Sequence, residues 1–414
     1  MTTILSRLMK AADTVADAIG FRPRRLRAEN LVADAERQAG RKFGDLSFFG
    51  PLQILLKSYN EEADLSLFGS LAVKWDVARF LSNLLKFEEE EERHPEILRE
   101  DIRAPIFITG LPRSGTTFLH SLLAQDPANR VPLSWQTIYP YPQPQDRRRD
   151  TRPARVDRQF RIFERLSPGV GSLHPLAAGT PQECTEITAH VFQSLRFDTT
   201  HYVPSYQNWL IGQGHIEAFR FHKRFLQHLQ HQQGKGQWVL KCPDHVFTLE
   251  AIKQVYPDAR FVFVHRDPLS VLPSVAKLTE LLRAPFTRKL NRLQIGQQVS
   301  ERWVEGAGLI ASDAETREQI FHVHYRSLIA NPVDTVAALY EHFGLQFGPS
   351  VSAPIEEFIR NTPRGGYGVN RYDFEDSGLD AVRLQEQFRP YMTAFGIESE
   401  WKSRADAPRA LKPA

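Results

Sequence analysis

The chain has 414 residues, of which 42% are hydrophobic and 24% charged, and its mean hydropathy is −0.38. This composition is typical of a globular protein, and the length allows one large α/β domain with additions or two modest domains. The net charge is only +3 and the pI about 8.8, which is too mild to indicate nucleic-acid binding.

Residues 1–100 are predicted to be mostly helical. Apolar residues recur at helical spacing in residues 52–59 and 73–87, and the second segment continues into an acidic run that His94 and Pro95 are expected to end. Nothing in this region indicates catalysis. It either covers one side of a substrate cleft or mediates formation of a homodimer, and the sequence does not separate the two.

From residue 105 onward, short apolar runs alternate with helical segments. The runs predicted to be buried strands are residues 105–109, 237–241, 260–265 and 321–325. Helical periodicity lies between them, for example in residues 247–255 and 333–343. Such alternation predicts an α/β fold with a central parallel sheet, whose ligands bind beyond the carboxyl ends of the strands.

Two segments are predicted to lack regular structure. Residues 140–158 are rich in Pro, Gln, Asp and Arg and indicate a long surface excursion, and the chain after Gly348 is predicted to be irregular. The predicted organisation is therefore a helical region at 1–100, a core at 101–345 and a C-terminal cap and tail at 346–414.

The most informative motif is Gly-Leu-Pro-Arg-Ser-Gly-Thr-Thr at residues 110–117. It lies between the first predicted strand and a predicted helix, which is the layout of a phosphate-binding loop. Nucleotide triphosphatases have a lysine after the second glycine of this loop, but this chain has Thr116 there and Arg113 inside the loop. The loop is thus suited to bind an anionic group, but it lacks the lysine that reaches β- and γ-phosphates.

Three further features follow predicted strands. Lys241 ends one strand, where an ammonium can neutralise charge on a leaving oxygen, although a lysine there can also simply reach water. Arg266 follows the next strand, with Ser274 eight positions later, and the two could bind a separate phosphate. Alternatively, Arg266 forms a surface ion pair with Asp267, and Ser274 caps a helix. Tyr325 ends the last strand and can stack on a base.

Taken together, these motifs resemble those of sulfotransferases that use 3′-phosphoadenosine 5′-phosphosulfate (PAPS), over roughly residues 100–390. The resemblance implies a P-loop-like three-layer sandwich and no metal requirement. It also implies that the 5′-phosphosulfate is held by Arg113, Ser114, Gly115, Thr116 and Thr117. The 3′-phosphate would be held by Arg266 and Ser274, and Tyr325 would lie near the adenine. Arg364 loosely matches the family's Arg-Lys-Gly motif near the 3′-phosphate, but the lysine is absent and Arg371 competes with it.

The general base is less clearly indicated. Related sulfotransferases use a His, or a Glu that lies soon after the phosphate-loop helix. Where such a Glu might stand, this chain has Gln136, which cannot accept a proton. Glu183 is the leading alternative, at a predicted helix start where a carboxylate also has a structural role, with His174 and then His245 after it. His120 is expected to pack inside its helix, and the pair His228 and His231 is interpreted as a solvated helix face.

The predicted function is sulfuryl transfer from PAPS to a hydroxyl or amine of a small or medium-sized acceptor. The aromatic stretch 202–209 either lines an apolar pocket, which suits an apolar alcohol or phenol, or belongs to the core. A kinase-like enzyme and a non-catalytic nucleotide-binding protein are the alternatives. Two cysteines without metal-ligand spacing, no secretory signal and no long apolar run predict a cytoplasmic protein without a transmembrane segment.

Overall fold

The computed structural model describes residues 4–19, 24–143, 147–173, 176–312, 318–362 and 374–400. Its centre is a sheet of five parallel strands in the order β2-β3-β1-β4-β5. The strands are β1 (Ile106–Gly110), β2 (Asn129–Arg130), β3 (Gln237–Lys241), β4 (Arg260–His265) and β5 (Ile320–His324). Four of them are the predicted strands, shifted by at most one residue. The two-residue β2 was not predicted.

The helices before β3 fall into two sets. Four precede the sheet: α1 (Ile4–Ala18), α2 (Ala28–Ala39), α3 (Phe49–Glu61) and α4 (Leu67–Arg93). The others lie between β1 and β3: α5 (Thr116–Leu123), α6 (Ser134–Ile138), α7 (Arg152–Leu166), α8 (Val170–Leu173), α9 (Cys184–Thr188), α10 (Arg196–Thr200), α11 (Pro204–Gln213) and α12 (Ile216–Gln233). The acidic run belongs to α4, which ends immediately before His94, as predicted.

The remaining helices follow β3. They are α13 (Leu249–Val255), α14 (Pro268–Arg283), α15 (Arg292–Ser312), α16 (Tyr325–Ala330), α17 (Pro332–His342), α18 (Pro349–Asn361) and α19 (Ala381–Ala394). Short 3-10 turns lie at Pro95–Arg99, Arg147–Arg149, Ala189–Val191, Pro243–Phe247 and Glu375–Ser377. None of the helices within the described ranges is long and apolar enough to span a bilayer.

The two faces of the sheet carry different side chains because successive residues of a strand point to opposite sides. Phe107 and Phe261 face a large core that includes α2–α4, α12 and α14. Ile106 and Val262, their neighbours in the chain, face a smaller core formed with α5, α17 and α18. Helices therefore cover both faces, and the sheet is the middle layer of three, which confirms the predicted architecture.

The predictions of irregular structure were partly wrong. The last part of the excursion at 140–158 belongs to α7, which begins at Arg152 and whose residues are mostly exposed or half-buried. The chain after Gly348 contains α18 and α19, each with a buried apolar stripe and an internal proline. The aromatic stretch 202–209 includes Tyr206, which is fully buried in the core, so the core interpretation holds there.

Candidate active site

The phosphate-binding loop lies at the carboxyl end of β1, between Gly110 and the start of α5 at Thr116. Gly110 has φ +148° and Gly115 has φ +98°, values that favour glycine. A Cβ on Gly110 would lie 2.4 Å from the carbonyl oxygen of Val264 on β4, so the loop begins directly against the neighbouring strand. The glycines that frame the motif are therefore required by the local backbone.

Ser114 is the clearest sign that this loop holds a ligand. Its side chain is fully buried, and its Oγ has no hydrogen-bond partner among the described residues. A buried hydroxyl without a partner destabilises the fold by about 1–3 kcal/mol, so such groups usually meet a ligand or water. Thr116 is also buried and Thr117 is half-buried at the start of α5, where backbone N–H groups and the helix dipole favour an anion.

Lys241 and Glu183 form an ion pair beside this loop. Lys241 ends β3, which pairs with β1 in a register that places it opposite Ile108, and it is only 2% exposed. Its Nζ lies 2.5 Å from Oε1 of Glu183, the residue that precedes α9 and whose side chain is 26% exposed. Because β3 is next to β1, the ammonium lies at the same edge of the sheet as the phosphate-binding loop.

Arg113 and Arg266 connect the loop to β4. Arg266 follows β4 directly, and its Nη1 donates to the carbonyl oxygen of Arg113 at 3.0 Å. The Arg266 guanidinium also lies over the Tyr325 ring, with Cζ 4.0 Å from the ring centroid. The Arg113 side chain turns toward helix α8 and donates to the carbonyl oxygen of Leu173.

Tyr325 packs against the loop as the first residue of α16. A Cβ built on Gly115 would lie 2.9 Å from Cδ2 of its ring. One aromatic ring thus contacts both the loop and the arginine that follows the next strand, and the structure brings these predicted residues together.

The segment after Arg266 does not have the surface ion pair and the helix-capping serine that were the alternative to a phosphate site. Asp267 is fully buried and caps α14 by accepting from the backbone N–H of Leu269, so it does not form a surface pair with Arg266. Ser274 is not a helix cap either. It lies in the second turn of α14 and is 7% exposed.

A residue near the end of the described chain also contacts Arg266. The Glu400 carboxylate lies 3.3 Å from the Arg266 guanidinium, and its backbone N–H donates to Asp267 at 2.6 Å. This contact joins residues 134 positions apart and has no signal in the sequence.

The structure separates the candidate bases. Gln136 is 4% exposed, and its Oε1 accepts from the backbone N–H of Leu133 at 2.9 Å, which makes it part of a capping arrangement at α6. His245 is buried against Phe107, and burial lowers the pKa of its imidazole well below the usual value. His174 and Arg364 lie outside the described residues, as does Arg371.

Other polar residues singled out in the sequence have structural partners. His120 is buried in α5, as predicted, and its Nε2 bonds to the carbonyl oxygen of Val239 at 3.0 Å. Burial, with a smaller effect of the Lys241 charge, lowers its pKa to about 3. The interpretation of His228 as solvated was wrong: it is fully buried and lies 2.8 Å from Glu91. His231, one turn further along α12, has a side chain that is 30% exposed.

Glu186, the other carboxylate near the start of α9, faces away from Lys241. It lies 2.7 Å from Arg79 on α4 and 3.0 Å from Arg196, and its side chain is 8% exposed. Arg79 thus ties α9 to α4, and Arg196, on α10, also contacts Asp76 of α4. The pairing was not predicted, because charged residues so far apart in the chain give no periodic signal.

The sequence is similar to a known protein family and to curated proteins. The family model described as "Sulfotransferase family" matches residues 105–349. Omega-hydroxy-beta-dihydromenaquinone-9 sulfotransferase Stf3 from Mycobacterium bovis is 26% identical over 271 residues. That match spans 58% of this chain and 63% of the relative's own length.

Solved structures give a similar result over nearly the whole chain. Sulfotransferase STF1 from Mycobacterium tuberculosis is 30% identical, with a TM-score of 0.76 over 89% of this chain and 99% of that one. Sulfotransferase STF9 from Mycobacterium avium is 26% identical, with a TM-score of 0.81 over 91% of this chain and 98% of that one.

Proposed function

This chain belongs to the sulfotransferase family, and we propose that it transfers a sulfuryl group from PAPS to a hydroxyl, or an amine, of a small or medium-sized acceptor. The observation that carries the proposal is the phosphate-binding loop without its lysine, with the buried Ser114 Oγ unpartnered among the described residues and the Lys241 ammonium beside it. This donor set fits a group with one phosphate and one sulfuryl unit.

The donor carries two anionic regions, and the chain offers two cationic ones. Residues 113–117 would hold the 5′-phosphosulfate through Arg113, the hydroxyl groups and the N-terminus of α5. Arg266, with Ser274 on α14, would hold the 3′-phosphate, and Tyr325 would lie beside the adenine. Arg364 remains proposed near the 3′-phosphate. In this arrangement Glu400 holds the Arg266 guanidinium until the donor phosphate replaces it.

Lys241 would stabilise charge on the leaving phosphate oxygen. Sulfuryl transfer passes through a loose, in-line transition state, so charge builds on the oxygen that departs from sulfur. An ammonium that is 2% exposed acts there in a medium of low effective dielectric, where it stabilises that charge more strongly than in water. No metal ion is proposed for this step.

Glu183 is the proposed general base, and its contact with Lys241 suggests how it becomes available. Without donor, the carboxylate neutralises the ammonium at 2.5 Å. Once a donor oxygen interacts with Lys241, the carboxylate can accept the proton of the acceptor hydroxyl. Its side chain is 26% exposed, so an acceptor can approach it. His174 is kept as the second candidate.

For the acceptor we propose an apolar alcohol or phenol. The support comes from the curated relative, whose name gives an omega-hydroxy derivative of dihydromenaquinone-9 as its substrate. A cytoplasmic location is proposed because both cysteines are buried free thiols. The boundaries 1–100, 101–345 and 346–414, the absence of nucleic-acid binding and a homodimer mediated by the N-terminal helices remain proposals.

The test is transfer of radiolabel from ³⁵S-labelled PAPS to a panel of lipophilic alcohols, phenols and amines. We expect transfer by the unmodified chain and none by Arg113→Ala or Lys241→Ala, with Lys253→Ala on α13 as a control that retains activity. Transfer of phosphate from Mg-ATP would instead identify a kinase. Binding of the donor product without turnover on any acceptor would identify a non-catalytic protein.

A further inference from the structure

A group of potential metal ligands lies on the surface where α4 meets α12. It consists of His94, the residue that ends α4; Glu96, in the 3-10 turn Pro95–Arg99; and His231, in the last turn of α12. One ligand atom from each of these residues lies within 4.8 Å of the other two. Nδ1 of His94 and Oε1 of Glu96 are separated by 3.2 Å.

A second carboxylate, that of Glu100, lies next to His231 outside this group of three. Its Oε1 lies 3.9 Å from Nδ1 of His231, and its Oε2 accepts from Nε2 of Gln230 at 2.8 Å. Gln230 is 2% exposed, and its Oε1 accepts from the Trp238 indole at 3.1 Å. The Glu100 carboxylate is therefore oriented by a buried amide, the kind of support that ligating carboxylates have in metal sites.

The charge and identity of these groups indicate the class of ion. Two neutral imidazoles with two carboxylates carry a charge of −2, which one divalent cation balances. Imidazole is a ligand for zinc and its neighbours, whereas magnesium and calcium prefer sites made of oxygen ligands. Zinc bonds of about 2.0–2.2 Å in tetrahedral geometry place ligand atoms roughly 3.3–3.6 Å apart. The 3.2 Å between His94 and Glu96 fits this spacing, and the other separations, which are at most 4.8 Å, would have to shorten on binding.

An ordinary ion pair explains only part of the arrangement. It accounts for the contact between His94 and Glu96. It gives no reason for a second imidazole, that of His231, whose ring centroid lies 5.7 Å from that of His94. A shared cation would be bound by both rings and by Glu96, and the Glu100 carboxylate beside it would balance the remaining positive charge. We propose that His94, Glu96 and His231 bind one zinc ion, with Glu100 next to the site, and that this ion ties the end of α4 to the last turn of α12.

The cluster is open to solvent, since the His94 and Glu96 side chains are about half exposed. Zinc can therefore enter without a channel, and small side-chain rotations can complete the geometry. Its role would be to fix the N-terminal helices on the core. The site does not depend on the proposed transfer activity, because its residues lie on α4, the following turn and α12 rather than at the phosphate-binding loop.

The test uses the full chain in metal-free buffer, titrated calorimetrically with zinc chloride. We expect one zinc per chain with a dissociation constant in the micromolar range or below, and a rise in Tm with zinc. The double variant His94→Gln/His231→Gln should lose this binding, or weaken it at least a hundredfold, with an unchanged Tm in the absence of zinc. His342→Gln, which replaces an exposed histidine in the last turn of α17, is the matched control and should bind zinc normally.

A second variant separates ligation from folding. Glu100→Gln keeps the shape and an acceptor for Gln230 while removing the negative charge, so zinc affinity should fall at least tenfold. The proposal is overturned if zinc does not bind below 100 µM, or if the double variant retains the stoichiometry and affinity of the unmodified chain.

Discussion

The two carboxylates at the start of α9 should have different roles, and replacing each by glutamine distinguishes them. Glu183 pairs with Lys241 at the phosphate-binding loop, whereas Glu186 pairs with Arg79 and Arg196 inside the protein. Glutamine keeps the size of the side chain and one acceptor oxygen but cannot accept a proton at neutral pH. Glu183→Gln should therefore impair the chemical step, and Glu186→Gln should impair the fold.

The magnitudes follow from burial and from the partners left behind. Loss of a positioned general base lowers the rate by about 10²–10⁴-fold. The stability loss in Glu183→Gln should be about 2 kcal/mol, because the Lys241 ammonium is 2% exposed and keeps a hydrogen-bond acceptor but loses the carboxylate charge. Glu186 is 8% exposed and has two arginine partners, so Glu186→Gln leaves excess buried positive charge and should lose about 3 kcal/mol.

Single-turnover transfer at saturating donor gives the rate, and urea unfolding gives the free energy of unfolding. Arg220→Gln, which removes an exposed ion pair with Glu217, is the control and should change stability by less than about 1 kcal/mol. Full activity of Glu183→Gln would refute its role as base. A rate loss in Glu186→Gln as large as in Glu183→Gln, at equal folded fraction, would refute the separation of roles.

Four other results are expected. Arg266→Ala should weaken binding of adenosine 3′,5′-bisphosphate by about tenfold or more in calorimetry. It should change the affinity for adenosine 5′-phosphosulfate little, because that ligand lacks the 3′-phosphate. Glu400→Gln should strengthen bisphosphate binding by up to about fivefold, because the Glu400 carboxylate competes with the phosphate for the Arg266 guanidinium. Equal losses for both ligands would contradict this assignment of Arg266. Gly115→Ala should lower the free energy of unfolding in urea by about 1–3 kcal/mol, since φ is +98° and the new Cβ would press on Tyr325; an unchanged urea midpoint would contradict it. Stability should fall as pH decreases from about 6.5 toward 3, because burial lowers the pKa of four histidines to about 3. The unfolded chain takes up protons before the folded one, so about 1.4 kcal/mol of stability is lost per pH unit for each histidine. A urea midpoint at pH 5.5 equal to that at pH 7.5 would contradict this. These histidines are His120, His190, His201 and His222.

Strands β1, β3 and β4 could be predicted because each is a short apolar run that is buried almost throughout. The apolar residues of β5 gave a similar signal, although that strand is only partly buried. The phosphate-binding loop could also be predicted, because its backbone requires glycine at positions 110 and 115. The C-terminal helices were missed because Pro354 and Pro390 lie inside them, and an internal proline normally argues against a helix. Their apolar residues at helical spacing, such as Leu384, Phe388 and Tyr391, were the available signal.

The candidate site was less predictable than the fold. Lys241 and Arg266 were found because they follow strands, and parallel strands end at a common edge. The ion pair between Lys241 and Glu183 could not be predicted from the sequence, because the two residues are 58 positions apart and their contact depends on how α9 packs. The contact of Glu400 with Arg266 and the pairing of Glu186 with Arg79 are likewise products of tertiary packing.

Calorimetric titration with adenosine 3′,5′-bisphosphate in the presence of EDTA tests the central claim most directly, with Mg-ATP titrated in parallel. The account predicts that the bisphosphate binds without magnesium and more tightly than Mg-ATP, because the loop lacks the lysine that reaches β- and γ-phosphates and Arg266 lies where a second phosphate can be held. Tighter binding of Mg-ATP, or bisphosphate binding that requires magnesium, would contradict it.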